Sequence, residues 1–368
     1  MPRVDRGDLR VVITLAQWNR TLLSRQHLLD RIDEDVIEVL DRCVGLQAQD
    51  PRPPFFGLWS RIAGFDPADY DDLLVDREIV RSVVLRGTLL TMDAHDARWM
   101  RALVQPRIDA FTRGTHKLPD GVAADAVVEA GREAISGGEV PSRQLRELLA
   151  KRWPDAPVAD LMAVVRNALH LVQVPPRGTW ASANGGGDPT YALLDDWIGP
   201  GEPAVVDDEA RKDLIRMYLR GFGPASIAGI QTWAGLTGLG KLVKAMTADW
   251  ELARVDGPNG EELYDLDGLP IADGDEPAPV RLVAPFDHIL VAQAPADRIR
   301  VADPDVFAKT VTPNGRSPGF VLVDGRLAGT WKVADTEPVI DYLVDVPPAQ
   351  RREVAEEAQR LREFLATD

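Results

Sequence analysis

Gln47 and Gln49 are the residues whose type and spacing raise the question of chemistry in this chain. If their segment is extended, side chains two positions apart share one side, so both amides could face one water molecule. An amide has no useful pKa and cannot act as a general acid or base. It can hold a water and place its carbonyl dipole near developing positive charge. Two glutamines this close are also common and usually solvated, so a loop pair that hydrogen-bonds the backbone is the alternative.

Other reactive groups near this pair have weaker support. Asp50 follows directly, but in an extended segment its side chain would point away from both glutamines, which leaves a lesser role in electrostatic stabilisation. A lysine that attacks through a Schiff base has no candidate in this region, because the first lysine is Lys117. The absence of an early lysine favours simple hydrolysis over covalent catalysis by an amine.

The histidines and the single cysteine indicate no metal site. The chain has one cysteine, Cys43, so it can form neither an internal disulfide nor a cysteine cluster. Its histidines are scattered, and no pair has the spacing of a zinc-binding helix. They are His27, His95, His116, His170 and His288. We therefore expect no metal and no cofactor.

Composition is that of an ordinary globular protein with a strongly acidic balance. The chain has 368 residues, 45% of them hydrophobic and 27% charged, with a net charge of −16. No run approaches the roughly 18 apolar residues of a membrane helix, and Met1 to Arg10 lack the apolar stretch of a signal peptide. With one cysteine these features predict a cytoplasmic protein, and we expect a monomer that binds no membrane.

The negative charge is the strongest argument against a nucleic-acid partner, because DNA binding depends on phosphate neutralisation by lysine and arginine. The net charge of −16 nevertheless allows a local basic groove. At physiological salt, screening limits the reach of a charge to about 8–10 Å. The charge therefore argues against tight non-specific binding more than against a DNA site.

Helices alternating with short strand pairs must position these residues. Residues 142–151 begin at Ser142, read as a serine cap, and residues 158–170 continue with helical spacing. Strand-like residues 171–174 and 179–181 follow around a proline- and glycine-rich turn, which predicts a hairpin. Helix, helix and hairpin is the order of a winged helix.

The same order recurs on both sides of this unit. Residues 15–45 and 54–76 read as helical and precede the strand-like residues 79–92. Residues 208–247 hold three helical stretches before strand-like residues 251–255 and 262–266. We therefore predict three such units in the chain.

The remaining C-terminal part has a different pattern. Residues 268–279 are acidic and rich in proline and glycine, as in a linker. Residues 280–333 are mostly strand-like, and residues 349–365 read as a terminal helix.

Three segments of the chain resemble the AlkZ-like family of bacterial DNA glycosylases. They are Gly45 to Arg61 with the Gln-Ala-Gln tripeptide, Val84 to Leu89, and Gly319 to Lys332. The resemblance covers roughly residues 11–340. It implies an α+β fold of tandem winged helices with a C-terminal β-barrel-like domain. It also implies that Gln47 and Gln49 are catalytic, since a Gln-x-Gln or Gln-x-Asp motif lies in the catalytic site of that family.

Combined with the element pattern, the resemblance predicts four modules. Residues 11–118 would form a first winged helix with the Gln-x-Gln motif, and residues 119–200 a second. Residues 201–270 would form a third, and residues 276–368 a β-rich domain that ends in a helix.

Glutamines without an acid suit a base that already leaves easily. A purine alkylated at N7 or N3 carries a positive charge and needs no protonation, so a positioned water and stabilisation of the oxocarbenium ion would suffice. The resemblance implies a monofunctional glycosylase acting on double-stranded DNA with alkylated bases. N7-alkylguanine, bulky adducts and interstrand crosslinks are the expected lesions, in DNA repair or in self-resistance to a genotoxin. Two alternatives stay open: a non-catalytic winged-helix DNA-binding protein or regulator, and a protein that sequesters a small molecule.

Two arginines are candidates for phosphate contacts. Arg86 precedes Gly87, which would let a phosphate approach closely, and Arg177 lies at a proline-rich turn that could be a wing tip. Solvated arginines at exposed turns are the alternative for both.

Overall fold

The structure is a computed structural model that describes most of the chain. The described residues are 11–183, 187–312, 315–334 and 336–367. Met1 to Arg10, on which the expectation of no signal peptide rests, lie outside them. Along the described ranges, no helix combines the length and the apolar character needed to cross a bilayer.

Helices make up much of the described chain. In chain order they are α1 (Leu15–Arg25), α2 (Val36–Cys43), α3 (Pro53–Trp59), α4 (Pro67–Val75), α5 (Ala94–Thr115), α6 (Ala124–Ile135), α7 (Ser142–Arg152), α8 (Val158–Ala168), α9 (Leu194–Ile198), α10 (Asp208–Phe222), α11 (Ile227–Ala234), α12 (Gly240–Ala248), α13 (His288–Val291), α14 (Pro295–Arg298), α15 (Pro304–Ala308) and α16 (Pro348–Leu365).

The strands are short and form three sheets. In chain order they are β1 (Val11–Val12), β2 (Leu46–Gln47), β3 (Ile79–Val83), β4 (Leu89–Asp93), β5 (Val140–Pro141), β6 (Leu171–Gln173), β7 (Thr190–Leu193), β8 (Leu252–Asp256), β9 (Glu262–Leu266), β10 (Arg281–Val283), β11 (Gly319–Val323), β12 (Arg326–Ala334) and β13 (Glu337–Tyr342). The sheet orders are β1-β8-β9, β10-β11-β12-β13 and β2-β4-β3-β6-β7-β5.

The chain divides into two compact units. The terminal unit contains the chain up to Ile32 together with Lys212–Trp233 and Thr237–Thr367. The central unit contains Asp33–Arg211 and Ala234–Leu236. The four modules expected from the sequence stay a prediction.

The central unit is built on the six-stranded sheet. β3 and β4 form an antiparallel hairpin, closed by a short 3-10 turn at Leu85–Gly87. The hairpin strands carry mostly apolar, partly β-branched residues, which suit a sheet whose side chains are buried. β2 pairs with β4 at one edge of the sheet. The Gln-Ala-Gln tripeptide therefore begins on an edge strand supported by this hairpin.

Helices α6, α7 and α8 enclose a separate apolar core of the central unit, which includes Val127, Leu145 and Leu161. α7 and α8 confirm the two helices expected over residues 142–151 and 158–170. The expected serine cap is wrong, because Pro141 is the N-cap residue and makes no side-chain capping bond. The Ser142 N–H donates instead to the Pro189 carbonyl at 2.8 Å, directly beside the pairing of β5 with β7.

The hairpin predicted after α8 is partly wrong. β6 matches the expected first strand, but its partner is β7 and not residues 179–181. The Arg177 carbonyl is taken by a side chain of β3, and the Trp180 N–H by a carboxylate of α4. These backbone groups are therefore bonded outside a strand ladder. Residues 174–183, called the β6–β7 loop below, form a packed loop.

The terminal unit follows the predicted order in its middle part. α10, α11 and α12 lead into β8 and β9, which pair antiparallel. β1 adds to β8 in parallel, a pairing that two valines cannot signal in the sequence. Trp18 of α1 is fully buried and packs with Val255 and Leu263 of the hairpin.

The C-terminal sheet differs from the expected barrel-like domain. Its four antiparallel strands have β10 and β13 at opposite ends of the order, so the described strands form an open sheet and the barrel is not confirmed. α16 packs against β10, β11 and β13 and buries one side of the sheet, which removes the need for closure. Three short helices, α13, α14 and α15, interrupt the segment expected to be mostly strand.

Candidate active site

The Gln-Ala-Gln tripeptide continues the edge of the central sheet. Gln47 pairs with Leu90 in β4, and the Ala48 N–H donates to the Leu89 carbonyl at 2.8 Å. Ala48 is buried, Gln47 is half-buried and Gln49 is exposed. This alternation places both glutamines on the accessible side of an extended segment. The side-chain amide of neither glutamine is hydrogen-bonded to another described residue, so both remain available to water.

Gly45 makes the approach to this strand possible. α2 ends with Val44 in the left-handed region, at φ 51°, and Gly45 follows at φ 81°. A Cβ on Gly45 would lie 3.0 Å from the Thr91 carbonyl oxygen of β4. Glycine therefore lets the chain turn from α2 directly onto the sheet edge.

Arg81 of β3 holds the tripeptide from the buried side. Its side chain is fully buried, and its Nη2 donates to the Ala48 carbonyl at 2.9 Å. Its Nη1 donates to the Arg177 carbonyl at 2.9 Å. Burial is the main influence on Arg81 and lowers the pKa of its guanidinium from the ordinary value. One buried cation thus joins the residue between the two glutamines to the β6–β7 loop.

Gly178 leaves room for that cation. It has φ 106°, and a Cβ there would lie 2.6 Å from Cδ of Arg81. Both the backbone conformation and the space therefore exclude a side chain at this position.

Asp71 of α4 fixes the same loop further along. The Trp180 N–H lies 3.0 Å from each carboxylate oxygen of Asp71. Burial raises the pKa of Asp71 to about 6, against the opposing effect of that hydrogen bond. The Trp180 ring lies 5.1 Å from the Phe55 ring, centroid to centroid. Arg81 and Asp71 therefore hold the β6–β7 loop at two points beside the extended residues 46–49, called the glutamine strand below.

Asp50 and Arg52 follow the glutamines in a tight turn. Asp50 is exposed, and its Oδ1 accepts a hydrogen bond of 3.1 Å from the Arg52 N–H. The carboxylate is thereby used in the turn. The lesser role expected of Asp50 stays a prediction.

Arg86 lies in the turn between β3 and β4. It has φ 57°, and a Cβ on Gly235 would lie 3.0 Å from Cγ of Arg86, so the two residues pack together. Gly87 has φ 71° and open space where a Cβ would be. The turn precedes Leu89, whose carbonyl bonds Ala48, so Arg86 belongs to the same end of the sheet as Gln49.

Arg177 is linked to the tripeptide through its backbone. Its carbonyl is the one that Arg81 binds, while its Nη1 donates to the Gly187 carbonyl at 2.6 Å. Arg81 thus links the backbone of Arg177 to that of the Gln-Ala-Gln tripeptide.

Metal-ligating side chains are dispersed in the part of the chain that the structure covers. No group of three His, Cys, Asp or Glu residues there could hold a metal ion. The chemistry available at the glutamines is that of amide dipoles, ordered water and nearby guanidinium charge.

Sequence reasoning missed three residues of this site: Arg52, Asp71 and Arg81. A lone arginine in the apolar strand Ile79–Val83 is a signal of a buried cation with a specific partner. Asp71 carries no such signal, because it is one of several acidic residues around α4. Arg52 directly follows the motif, but nothing in the sequence shows which surface its side chain meets.

Comparison with known proteins decides the family. A model of the AlkZ-like DNA glycosylases matches residues 40–364. The chain belongs to the AlkZ-like DNA glycosylase family. This confirms the resemblance inferred from the sequence and the expected enzyme class, a DNA glycosylase.

Two similar proteins come from Streptomyces sahachiroi. The interstrand DNA cross-link repair glycosylase is 25% identical over 377 residues, which cover 93% of this chain and 95% of that protein. The solved structure of the DNA glycosylase AlkZ matches with a TM-score of 0.77 at 21% identity, over 97% of this chain and 98% of that one. The structural match shows that this AlkZ-like chain shares the mixed α+β fold.

Proposed function

We propose that this AlkZ-like protein hydrolyses the N-glycosidic bond of cationic alkylated purines in double-stranded DNA. N7-alkylguanine is the simplest such substrate. Gln47 and Gln49 hold the attacking water and direct their carbonyl dipoles at the positive charge that develops on the sugar. The supporting observation is that both amides lie on the accessible side of β2 without a hydrogen bond to another described residue.

The same observation weighs against a structural role for the glutamines. A pair that capped the loop would donate to or accept from nearby backbone groups. In the described structure, Arg81 and the β2–β4 ladder take the backbone contacts around Ala48, and the amides take none. The strand is held by its neighbours, which leaves the amides for the reaction.

The lesion class follows from the chemistry of the site. A neutral base leaves readily only if an acid protonates it or a charged group stabilises its anion, and an amide is neither an acid nor a charged group. An N7-alkylated guanine is already cationic, so the N-glycosidic bond breaks to release a neutral base. Water then adds to the oxocarbenium carbon and loses its proton to solvent. Bulky N7 adducts and interstrand crosslinks share this property. The name of the Streptomyces sahachiroi relative, an interstrand DNA cross-link repair glycosylase, agrees with an extension to crosslinks. The reaction would serve DNA repair or self-resistance to a genotoxin.

Arg86 and Arg177 are proposed to contact phosphates beside this strand. Alanine variants of either should weaken binding to lesion duplex and lower the slope of log affinity against log salt by about 0.9 per lost contact. Unchanged slopes for both would remove them from the DNA-binding surface.

Single-turnover assays on four duplexes test the function. They carry 7-methylguanine, 3-methyladenine, uracil or 1,N6-ethenoadenine, and free base is measured by chromatography. We expect release of the two cationic bases and none of the neutral ones. Comparable release of uracil and 7-methylguanine would place the chemistry on an acidic group elsewhere. No release of any base, with DNA binding intact, would favour a non-catalytic DNA-binding protein.

A further inference from the structure

Arg52 has the geometry of a ligand-binding group that the fold itself does not use. It follows Gln49 by three positions and lies between Pro51 and Pro53, whose rings fix the backbone on either side. Its own N–H closes the turn with Asp50. The backbone of Arg52 is therefore held firmly at the mouth of the glutamine strand.

Two aromatic rings hold the guanidinium in place. Its Cζ lies 5.7 Å from the centroid of Phe56 and 5.6 Å from that of Trp180. Trp180 is itself fixed by Asp71 and packs on Phe55. A planar cation against aromatic faces keeps its orientation without using its N–H groups.

The donors of this guanidinium have no partner among the described residues. Nε is buried and has no hydrogen bond, and no described carboxylate forms an ion pair with the side chain. Asp50 acts on it only through space, and burial, the larger effect, lowers the pKa of Arg52 from its ordinary value. A half-buried charged group with unmade hydrogen bonds is unfavourable for folding alone. The arrangement becomes favourable when an anion supplies the acceptors.

The surroundings select the kind of anion. Arg81 lies behind the same strand and Arg177 is on the loop that carries Trp180, so positive charge gathers here in a chain of net charge −16. The fork of N–H groups on a guanidinium matches the oxygens of a phosphate. The phosphate that accompanies a base to Gln47 and Gln49 is that of the DNA strand itself.

We propose that Arg52 binds a phosphodiester oxygen of the lesion-bearing strand, beside the nucleotide presented to Gln47 and Gln49. This subsite rests on the proposed function, because it assumes that those glutamines face the lesion. Its role is to fix the backbone of that nucleotide at a guanidinium whose own position is set by the Phe56 and Trp180 rings. The base would then be presented to the two amides from a set distance along the strand.

Neutral-phosphate scanning tests the contact directly. Duplexes with a stable abasic analogue at the lesion position carry one methylphosphonate at successive positions around it, and affinity is measured by fluorescence anisotropy. Wild type should lose affinity at a few positions, one for each phosphate that the protein contacts, those of Arg86 and Arg177 included. Arg52→Ala should be weaker on the unmodified duplex and insensitive at one of those positions. If Arg52→Ala loses affinity at every position where wild type does, and by as much, the proposal is overturned.

Salt dependence gives a second measurement of the same contact. Between 50 and 200 mM KCl, loss of one phosphate contact should make the fall in affinity about threefold smaller than for wild type. Arg143→Ala is the matched control, since Arg143 is exposed and already paired with Glu147 at 3.1 Å. It removes the same charge and should keep the wild-type slope. An equal change of the salt slope in both variants would show that the effect comes from the net charge of the protein and not from a contact of Arg52 with a phosphate.

Further variants and one competitor separate the remaining explanations. Arg52→Met keeps apolar contact with the rings and should reproduce the alanine result if the alanine variant folds poorly. Arg52→Lys should keep the salt slope but recover only part of the affinity. Inorganic phosphate that displaces DNA at constant ionic strength, without a methylphosphonate effect, would mean a site for free anions and overturn the proposal. If wild type releases base but shows no methylphosphonate effect, the Arg52 contact is wrong and the proposed reaction stands. If the methylphosphonate effect is present but no base is released, the proposed reaction is wrong and the Arg52 contact stands.

Discussion

Two buried arginines, one in each unit, are held in different ways. In the terminal unit, Arg25 donates to both carboxylate oxygens of Asp265 at 2.7 Å each, so its charge is matched by a full negative charge. In the central unit, Arg81 donates to the carbonyls of Ala48 and Arg177 and forms no ion pair with a described carboxylate. A carbonyl dipole satisfies the N–H groups without cancelling the charge. The first arrangement serves stability, and the second keeps positive charge behind the glutamine strand.

Neither pattern is a rule for its whole unit. Arg101, also central, donates to the Val83 and Asn167 carbonyls, and burial lowers its pKa to about 10. Arg300, in the terminal unit, binds carbonyls and the Gln293 amide oxygen. Burial is the main influence and lowers the pKa of Arg300, while nearby carboxylates, Asp297 among them, oppose it. What distinguishes Arg81 is therefore the location of its carbonyl partners, one of which lies between the two glutamines.

Removal of a matched charge should have the largest effect. In Asp265→Ala, Arg25 stays buried without its carboxylate, and we expect the free energy of unfolding to fall by about 3–5 kcal/mol. Urea denaturation followed by circular dichroism measures it. Asp303→Ala is the control: its carboxylate is exposed beside Arg326, so the loss should stay below about 1 kcal/mol. Similar losses for both variants would show that burial of the pair is irrelevant.

Arg81→Met should lower the excision rate by more than the accompanying loss of protein stability explains. Without Arg81 the Ala48 and Arg177 carbonyls lose their donor, and a small shift of the glutamines should slow single-turnover excision about 100-fold. Arg101→Met is the matched control, because it removes an equally buried, carbonyl-bound arginine from the same unit. Both are compared below their unfolding transitions and at saturating enzyme.

The positioning role of Arg81 predicts two further results. Arg81→Lys should recover part of the rate, since an ammonium can reach one of the two carbonyls. Guanidinium ions added to the Arg81→Met protein should raise its rate and leave Arg101→Met unaffected. If the two methionine variants lose rate equally, Arg81 supports the fold and does not position the tripeptide.

Replacement of the two glutamines should have the next largest effect. Replacement of Gln47 and Gln49 together with alanine should slow excision at least about tenfold, or roughly 1.4 kcal/mol, because the attacking water loses its partners. Both side chains face outward, so the unfolding transition should stay in place. Gln144→Ala removes an exposed amide from α7 and should keep the wild-type rate. A double variant as fast as wild type would end the catalytic assignment.

Asp71 should give the smallest effect, visible as pH dependence. Its pKa is raised to about 6 in the folded protein from about 3.9 in an unfolded chain. The folded state therefore binds the extra proton, and stability from this group falls as pH rises from about 4 to 6. Asp71→Asn lacks this dependence but still accepts from the Trp180 N–H. We expect a difference below about 1 kcal/mol, since Asp71 is half exposed.

Denaturation of wild type and Asp71→Asn at pH 4.5, 6 and 7.5 provides the measurement. As the pH falls toward 4.5, the free energy of unfolding of the wild type should rise relative to that of Asp71→Asn. An opposite trend would mean that the ionised carboxylate stabilises the β6–β7 loop. An acid limb in the wild-type excision rate that disappears in Asp71→Asn would come from the loop, and not from an acid acting on the base.

The sequence predicted elements whose signals are local and missed those set by distant partners. α7 and α8 have apolar residues at helical spacing, and β8 and β9 flank a turn rich in glycine and proline. The second strand of the β6 hairpin was placed at residues 179–181, where the residue pattern does not distinguish a strand from a loop. In the structure these residues belong to the loop that Asp71 holds. The open C-terminal sheet depends on α16, which lies at the other end of the domain in sequence.

The candidate site was only partly visible for the same reason. Gln47, Gln49, Arg86 and Arg177 were predicted from motif resemblance and turn position, and their roles stay a prediction. Arg81 and Asp71 act through carbonyl and N–H groups far away in the chain, and backbone groups carry no residue identity that a sequence could display. The side-chain surroundings of Arg52 depend in the same way on Trp180 of the distant β6–β7 loop.

Gly178 has a consequence for how such sequences can diverge. Its φ of 106° and the 2.6 Å between a hypothetical Cβ and Arg81 tie this position to one 97 residues earlier, and through it to Ala48. Arg81 binds a backbone carbonyl of Ala48, so only Arg81 and Gly178 constrain each other's residue type. Lineages that kept the arginine should have kept the glycine, whereas lineages that lost the arginine would be free to place a side chain on the loop. Arg81 and Gly178 should therefore be inherited as a pair, although they lie far apart in the gene.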